Sequence, residues 1–92
     1  MEIRHEAGEY GGRFATSDGS CELTYRRAGS QTVVFDHTFV PPEMRSQGLA
    51  RKLVDAGVAW AREEKLKVVP ECPYVDVLFR REPALYADIA AR

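Results

Sequence analysis

Around Val40 the hydrophobic pattern of the chain switches from that of a strand to that of a helix, and few folds accommodate the join. Residues 31–40 are almost uniformly apolar, residues 47–64 repeat with a helical period, and Pro41 and Pro42 open the loop between them. That loop carries the spacing Arg45-x-x-Gly48-x-Ala50. A helix N-terminus presents unpaired N–H groups and the positive end of a dipole, which suits it to hold a phosphate or pyrophosphate. A glycine at its edge lets a ligand approach the backbone, and a small residue two positions on lets the helix sit close to the sheet. Arg45 adds a cation beside those amides. On this reading the guest carries a pyrophosphate. A plainer reading treats the same stretch as an ordinary strand-to-helix connection, with the prolines ending the strand, Ser46 as N-cap and Arg45 solvated. The rest of the chain has to decide between them.

Composition narrows the classes. The 92 residues suffice for one domain with its own core, and no repeat, linker or low-complexity segment divides them, so residues 1–92 read as a single domain. With 45% hydrophobic and 29% charged residues the chain is expected to be globular. A net charge of −1 argues against a nucleic-acid partner held by a general electrostatic footprint. No apolar run approaches a membrane span, and the charged start is unlike a signal peptide. Two cysteines suit reduced thiols in the cytoplasm, and a monomer is expected. His5, Cys21, His37 and Cys72 lack metal-ligand spacing, so no metal site is expected.

The first half of the chain reads as β structure. Residues 3–6 suggest an edge strand and residues 13–17 a short strand ended by the turn dipeptide Asp18-Gly19. Residues 21–27 alternate, with Leu23 and Tyr25 on one face and Glu22, Thr24 and Arg26 on the other. Residues 31–40 place Val33, Phe35 and Phe39 on one face and Val34 and Val40 on the other, a pattern expected of a strand covered on both sides. In the helix that follows, Leu49, Leu53, Ala56 and Trp60 form one row beside Ala50, Val54, Gly57 and Ala61. Gly57 weakens that helix and marks a candidate for close packing. Residues 66–69 give a last short strand before Pro70. Strand, helix and strand at these lengths make a right-handed βαβ unit with parallel strands.

That topology brings separate residues to one edge. In open α/β sheets ligands bind beyond the C-terminal strand ends. The Arg45–Ala50 loop leaves from one such end and the segment Pro70-Glu71-Cys72-Pro73-Tyr74 from the other. His37 falls near the first end, read as sharing a face with Val33, Phe35 and Phe39. It is either a core histidine or a general base. Pro73 is suited to open a short helix over residues 73–80, which puts Cys72 at its N-cap. There a thiolate is favoured by the helix dipole, although a free cysteine is more often a small buried hydrophobe. Tyr74 is either a phenolic donor or core. Pro83 begins a final helix through Ala84, Leu85 and Ile89.

Three segments taken together carry a resemblance: Phe35-Asp36-His37-Thr38-Phe39-Val40, Arg45-Ser46-Gln47-Gly48-Leu49-Ala50, and Leu66-Lys67-Val68-Val69-Pro70-Glu71-Cys72-Pro73-Tyr74-Val75. They resemble the small single-domain GNAT-like N-acetyltransferases over nearly the whole chain. The resemblance implies a compact mixed α/β fold, with antiparallel N-terminal strands, a βαβ unit and short C-terminal helices. It implies acetyl-coenzyme A as cosubstrate, with the pyrophosphate on Arg45, Ser46, Gln47, Gly48, Leu49 and Ala50 and the pantetheine between splayed parallel strands. His37 and Cys72 match a histidine and a cysteine proposed for catalysis in proteins of this type.

Acetyl transfer needs a deprotonated amine, a polarised thioester carbonyl and a proton for the departing thiolate. A backbone N–H near Phe39 and Val40 suits the carbonyl, and Tyr74 sits in the second loop. Cys72 reads as covalent carrier, acid or bystander. The acceptor would be a small-molecule amine, a protein lysine or an N-terminus. Two other classes stay open: a non-catalytic coenzyme A-binding module, and a protein-interaction domain without ligand.

Overall fold

The computed structural model describes residues 2–91. Five strands form one sheet in chain order: β1 Ile3–Ala7, β2 Gly11–Thr16, β3 Glu22–Arg27, β4 Thr32–Phe39 and β5 Lys67–Pro70. The first three pairings are antiparallel and joined by short turns, while β4 and β5 run parallel. Helix α1, Leu49–Glu63, makes the crossover, as expected of a βαβ unit. Between β2 and β3 the Asp18 carboxylate accepts from the Ser20 amide at 3.0 Å and from the Thr16 and Ser20 hydroxyls, each at 2.8 Å, while Gly19 takes φ +78°. These bonds fix the hairpin locally. Helices α2, Pro73–Arg81, and α3, Pro83–Tyr86, follow β5. The final helix is shorter than the sequence suggests: after Tyr86, residues 87–89 form a turn and Ala90 makes a parallel bridge with Val68.

The core lies between the sheet and α1. Phe14, Leu23, Tyr25, Val33 and Phe35 from the strands pack with Leu53, Val54, Val58 and Ala61 from the helix, all essentially buried. Gly57 explains how closely the layers approach. A Cβ placed there would lie 2.9 Å from Phe35 Cζ and 3.2 Å from Leu23 Cδ2. Helix α3 docks on α1 through the Tyr86 hydroxyl, which donates to Asp55 at 2.8 Å, and the Tyr86 ring stacks on Phe79 of α2 at 4.8 Å. The opposite sheet face is charged. There Arg13 meets Glu6 and Glu22, each at 2.9 Å, and Arg26 meets Asp36 at 3.2 Å and Glu71 at 2.7 Å. A thickness of 19 Å matches a sheet plus one helical layer.

β4 departs from the expected pattern at one residue. Tyr25 is opposite Phe35 but Thr24 is opposite His37, so Asp36 is extra in the ladder, a β-bulge. Asp36 is held there by the Thr24 hydroxyl, which donates to its carboxylate at 2.5 Å. Strict alternation puts His37 over α1 with Val33 and Phe35. With the bulge, Thr38 opposite Leu23 takes the α1 face, and His37 opposite Thr24 turns to the charged face, where it is exposed. Cover on both faces therefore holds only for the first half of the strand: Val33, Val34 and Phe35 are buried, whereas Phe39 is 44% exposed.

Candidate functional site

The sheet opens at the C-terminal ends of β4 and β5. Phe35 and Pro70 form the last pair of the parallel ladder, and Pro70 has no N–H with which to continue it. One further bond, from the Cys72 amide to the Phe35 carbonyl at 2.9 Å, ties the strands together. Past it, residues 36–39 of β4 have no partner in β5. A bulge bends its strand, so the bulge at Asp36 sits where β4 parts from its neighbour. A cavity of about 360 Å³ occupies the opening. Thr38, Phe39 and Val40 line it from β4, Arg45, Gly48, Ala50 and Arg51 from the loop and first turn of α1, and Tyr74 from α2.

The loop end of this cavity suits an anion. Residues Pro42–Gln47 form a 3₁₀ helix, and Gly48 is the N-cap of α1 in the left-handed conformation, φ +70° and ψ +21°. The N-cap is thus Gly48 and not Ser46, and α1 begins at Leu49, two residues later than its periodicity suggests. With no capping side chain, the first-turn amides of α1 remain available. A Cβ at Gly48 would meet nothing within 4 Å, so the space above these amides is open. Two cations flank it. Arg45 folds back and donates from Nε to the Val40 carbonyl at 2.9 Å, which fixes it at the strand end. Arg51 is braced by Glu82 at 2.6 Å and Asp55 at 3.3 Å, with its guanidinium 6.0 Å from the centre of the Tyr86 ring. Uncapped amides beside two held arginines fit a diphosphate.

The other end carries the chemistry-bearing side chains. Cys72 is the N-cap of α2, with Pro73 at the first helical position as the sequence suggests, and it is 5% exposed. Its thiol donates to the Thr38 hydroxyl at 3.4 Å. His37 is not among the residues lining the cavity; Thr38, its neighbour, is. Tyr74 is 39% exposed, and burial of its hydroxyl pushes the phenol above its ordinary range, so it is a neutral donor at physiological pH.

Of the coenzyme-binding positions read from the sequence, Phe39, Val40, Arg45, Gly48, Ala50 and Tyr74 line the cavity. Ser46 and Gln47 are exposed and do not line it, and Leu49 is buried in the core, leaving the cavity at most its backbone. Thr38 and Arg51 were missed. Arg51 follows Ala50 directly, in the first turn of a helix suited to anions, which is a usable signal. Thr38 depends on the bulge, which the strand's alternation does not reveal. Among the described residues no cluster of His, Cys, Asp and Glu is arranged to hold a metal ion, and no helix is long and apolar enough to cross a membrane.

Comparison with known proteins gives the family and the fold. Residues 13–89 match the family described as GCN5-related N-acetyl-transferase. The chain is 34% identical over 61 residues to Protein NATD1 of Xenopus tropicalis and 33% identical over 61 residues to Protein NATD1 of Homo sapiens. Each match covers 66% of this chain, but only 56% of the frog protein and 54% of the human one. The fold is also that of an NMR solution structure of a GCN5-like protein from Staphylococcus aureus. That likeness has a TM-score of 0.74 and 30% identity, over 98% of this chain and 87% of the other.

Proposed function

The chain belongs to the GCN5-related N-acetyltransferase family, and from that we propose that it transfers the acetyl group of acetyl-coenzyme A to an amine. One observation carries the reading: a single cavity runs from an uncapped helix N-terminus with two arginines to the split between β4 and β5, where Thr38 meets Cys72. The diphosphate sits on the amides at Gly48, Leu49 and Ala50 between Arg45 and Arg51, and the thioester end lies toward Thr38 and Tyr74. Acetyl-coenzyme A is a consumed substrate, so the protein's tasks are to orient it, to polarise its carbonyl and to move protons.

His37 and Thr38 divide the proton work. They are consecutive residues on opposite faces of β4, beside the part of the strand that β5 has left. An amine arriving from the charged face meets His37, an exposed imidazole that can accept the amine proton. The carbonyl is polarised by a backbone N–H near Phe39 and Val40 at the free strand edge. Cys72, on the cavity side, supplies a proton for the leaving sulfur.

The absence of a histidine or carboxylate from the cavity lining favours a second reading, a module that binds coenzyme A without turnover. The two are separated in two steps. Acetyl-coenzyme A and coenzyme A should each raise the melting temperature while ATP does so weakly or not at all, because a ligand that binds only the native state stabilises it. Small amines, peptides and lysine-bearing proteins are then screened for acetylation. Binding with transfer supports the enzyme, binding without transfer supports the module, and no binding rules out both.

A further inference from the structure

Cys72 carries a proton close to the cavity, yet its thiol does not line that cavity. The residue is 5% exposed, and the side chain that receives its hydrogen bond, at 3.4 Å, is Thr38. Thr38 does line the cavity. A hydroxyl accepts one hydrogen bond while donating another, so Thr38 joins the buried thiol to the space in front of it. The β4 bulge is what makes this possible. Without the extra residue Asp36, position 38 would face the charged side of the sheet and its hydroxyl would be turned away from Cys72.

Resting on the acetyltransferase reading above, we propose that Thr38 is a catalytic residue that relays a proton from Cys72 to the departing sulfur of coenzyme A. As the amine nitrogen bonds to the acetyl carbon, the carbon–sulfur bond breaks and its electron pair stays on sulfur. Thr38 gives its hydroxyl proton to that sulfur and takes the thiol proton of Cys72 in exchange. Cys72 is left as a thiolate, and the proton shed by the amine returns to it through His37 and solvent. The products are the N-acetylated amine and the coenzyme A thiol, with no change of oxidation state. This arrangement assigns Cys72 to proton supply: acylation would require its sulfur inside the cavity, where Thr38 stands.

The test compares the wild type with Thr38→Val and Thr38→Ser, with Thr38→Ala as the alternative where valine disturbs packing. Coenzyme A affinity is followed by calorimetry, turnover at saturating acetyl-coenzyme A, and, without ligand, the pH dependence of Cys72 alkylation by iodoacetamide. Thr38→Val should lose about 10²-fold in kcat with affinity unchanged, and Thr38→Ser should recover most of the rate. Losing the hydroxyl that stabilises the thiolate should also move the alkylation profile of Thr38→Val to higher pH, with serine restoring it. Full turnover in Thr38→Val, a Thr38→Ser rate as low as that of valine, or an unmoved alkylation profile overturns the relay and leaves the acetyltransferase reading intact. A wild type that binds coenzyme A but acetylates no amine overturns both.

Discussion

The amide of Cys72 donates to the carbonyl of Phe35 across 2.9 Å, the last backbone hydrogen bond between β4 and the segment leaving β5 among the described residues. Both residues are buried, Phe35 completely and Cys72 to within 5%, so this bond is shielded from competing water. It sets the floor of the cavity, and Pro70 ensures that the regular ladder goes no further. On one side of that point lie the uncapped amides of α1, and on the other the N-cap of α2. Two helix starts therefore face one opening because a proline and a bulge stop the strands from closing it.

Gly48 is where binding should be most sensitive. Its side is open and its φ is +70°, a conformation that Asp tolerates better than most residues. Gly48→Asp should thus keep the fold while placing a carboxylate over the uncapped amides, and coenzyme A binding should disappear. Arg45→Ala should weaken binding by about 1–2 kcal/mol, the scale of a charge-assisted hydrogen bond. Calorimetry with coenzyme A checks both, and unchanged affinity in folded Gly48→Asp would falsify the site.

His37 should matter to rate and not to binding, since it lies outside the cavity lining. General-base catalysis is worth about 10²–10⁴-fold, so His37→Ala should lose kcat on that scale at unchanged coenzyme A affinity. A variant as active as the wild type would hand the amine proton to water.

The two thiols should separate chemically. Cys21 is 0% exposed, and Ser20 lies over it at 3.7 Å, while Cys72 adjoins the cavity through Thr38. Iodoacetamide should therefore modify Cys72 faster, and coenzyme A should slow that reaction while leaving Cys21 unaffected. Mass spectrometry of partially alkylated protein reads both rates. Faster labelling of Cys21, or indifference of Cys72 to coenzyme A, would place Cys72 in packing alone.

How much of this was legible in the chain follows from physics at particular residues. The turn at Asp18-Gly19, the crossover helix and the start of α2 at Pro73 follow from turn chemistry, periodicity and proline placement, which act locally. His37 was read onto the wrong face because alternation assumes an unbroken ladder. The bulge at Asp36 is set by pairing with β3 and by the Thr24 hydroxyl, neither of which is a property of β4 by itself. The plainer reading makes Ser46 the N-cap on residue preference, but the 3₁₀ turn carries the chain past it to Gly48. Arg51 carries no mark in the sequence beyond following Ala50, and its place in the first turn of α1 brings it to the cavity. Gly57 was legible as a candidate for close packing, and only the structure supplies the neighbour that demands it.

That neighbour decides the sign of a substitution. Ala is favoured over Gly inside a helix by about 0.8–1.0 kcal/mol. At position 57 the added Cβ would sit 2.9 Å from Cζ and 3.0 Å from Cε2 of Phe35, a ring that is completely buried and has little room to move. Overpacking typically costs about 1–3 kcal/mol, so it outweighs the gain. Gly57→Ala should lower stability by about 1 kcal/mol in urea denaturation, and adding Phe35→Leu should relieve part of that loss. A stabilised Gly57→Ala would show that the helix and sheet yield easily.

His5 gives the fold an acid-side weakness. Its ring stacks on Phe14 at 4.2 Å, lies edge-on to Trp60 at 4.8 Å, and its Nε2 is 2.6 Å from the Tyr25 hydroxyl. Although the residue retains contact with solvent, burial of the ring, and secondarily the nearby Arg27 cation, depress its pKa below the ordinary 6.5. The unfolded chain therefore binds this proton before the folded protein does. Stability then falls as pH drops from about 6.5 toward the depressed folded value, and it levels off once both states are protonated. His5→Gln removes the titrating group while keeping a polar partner for Tyr25. Denaturation curves between about pH 7 and pH 5 should show a slope in the wild type and a shallower one in the variant, because the carboxylates titrate mostly below that range. Equal slopes in the two proteins would mean that the folded His5 protonates as freely as the unfolded one, and the aromatic cluster would then carry no pH dependence.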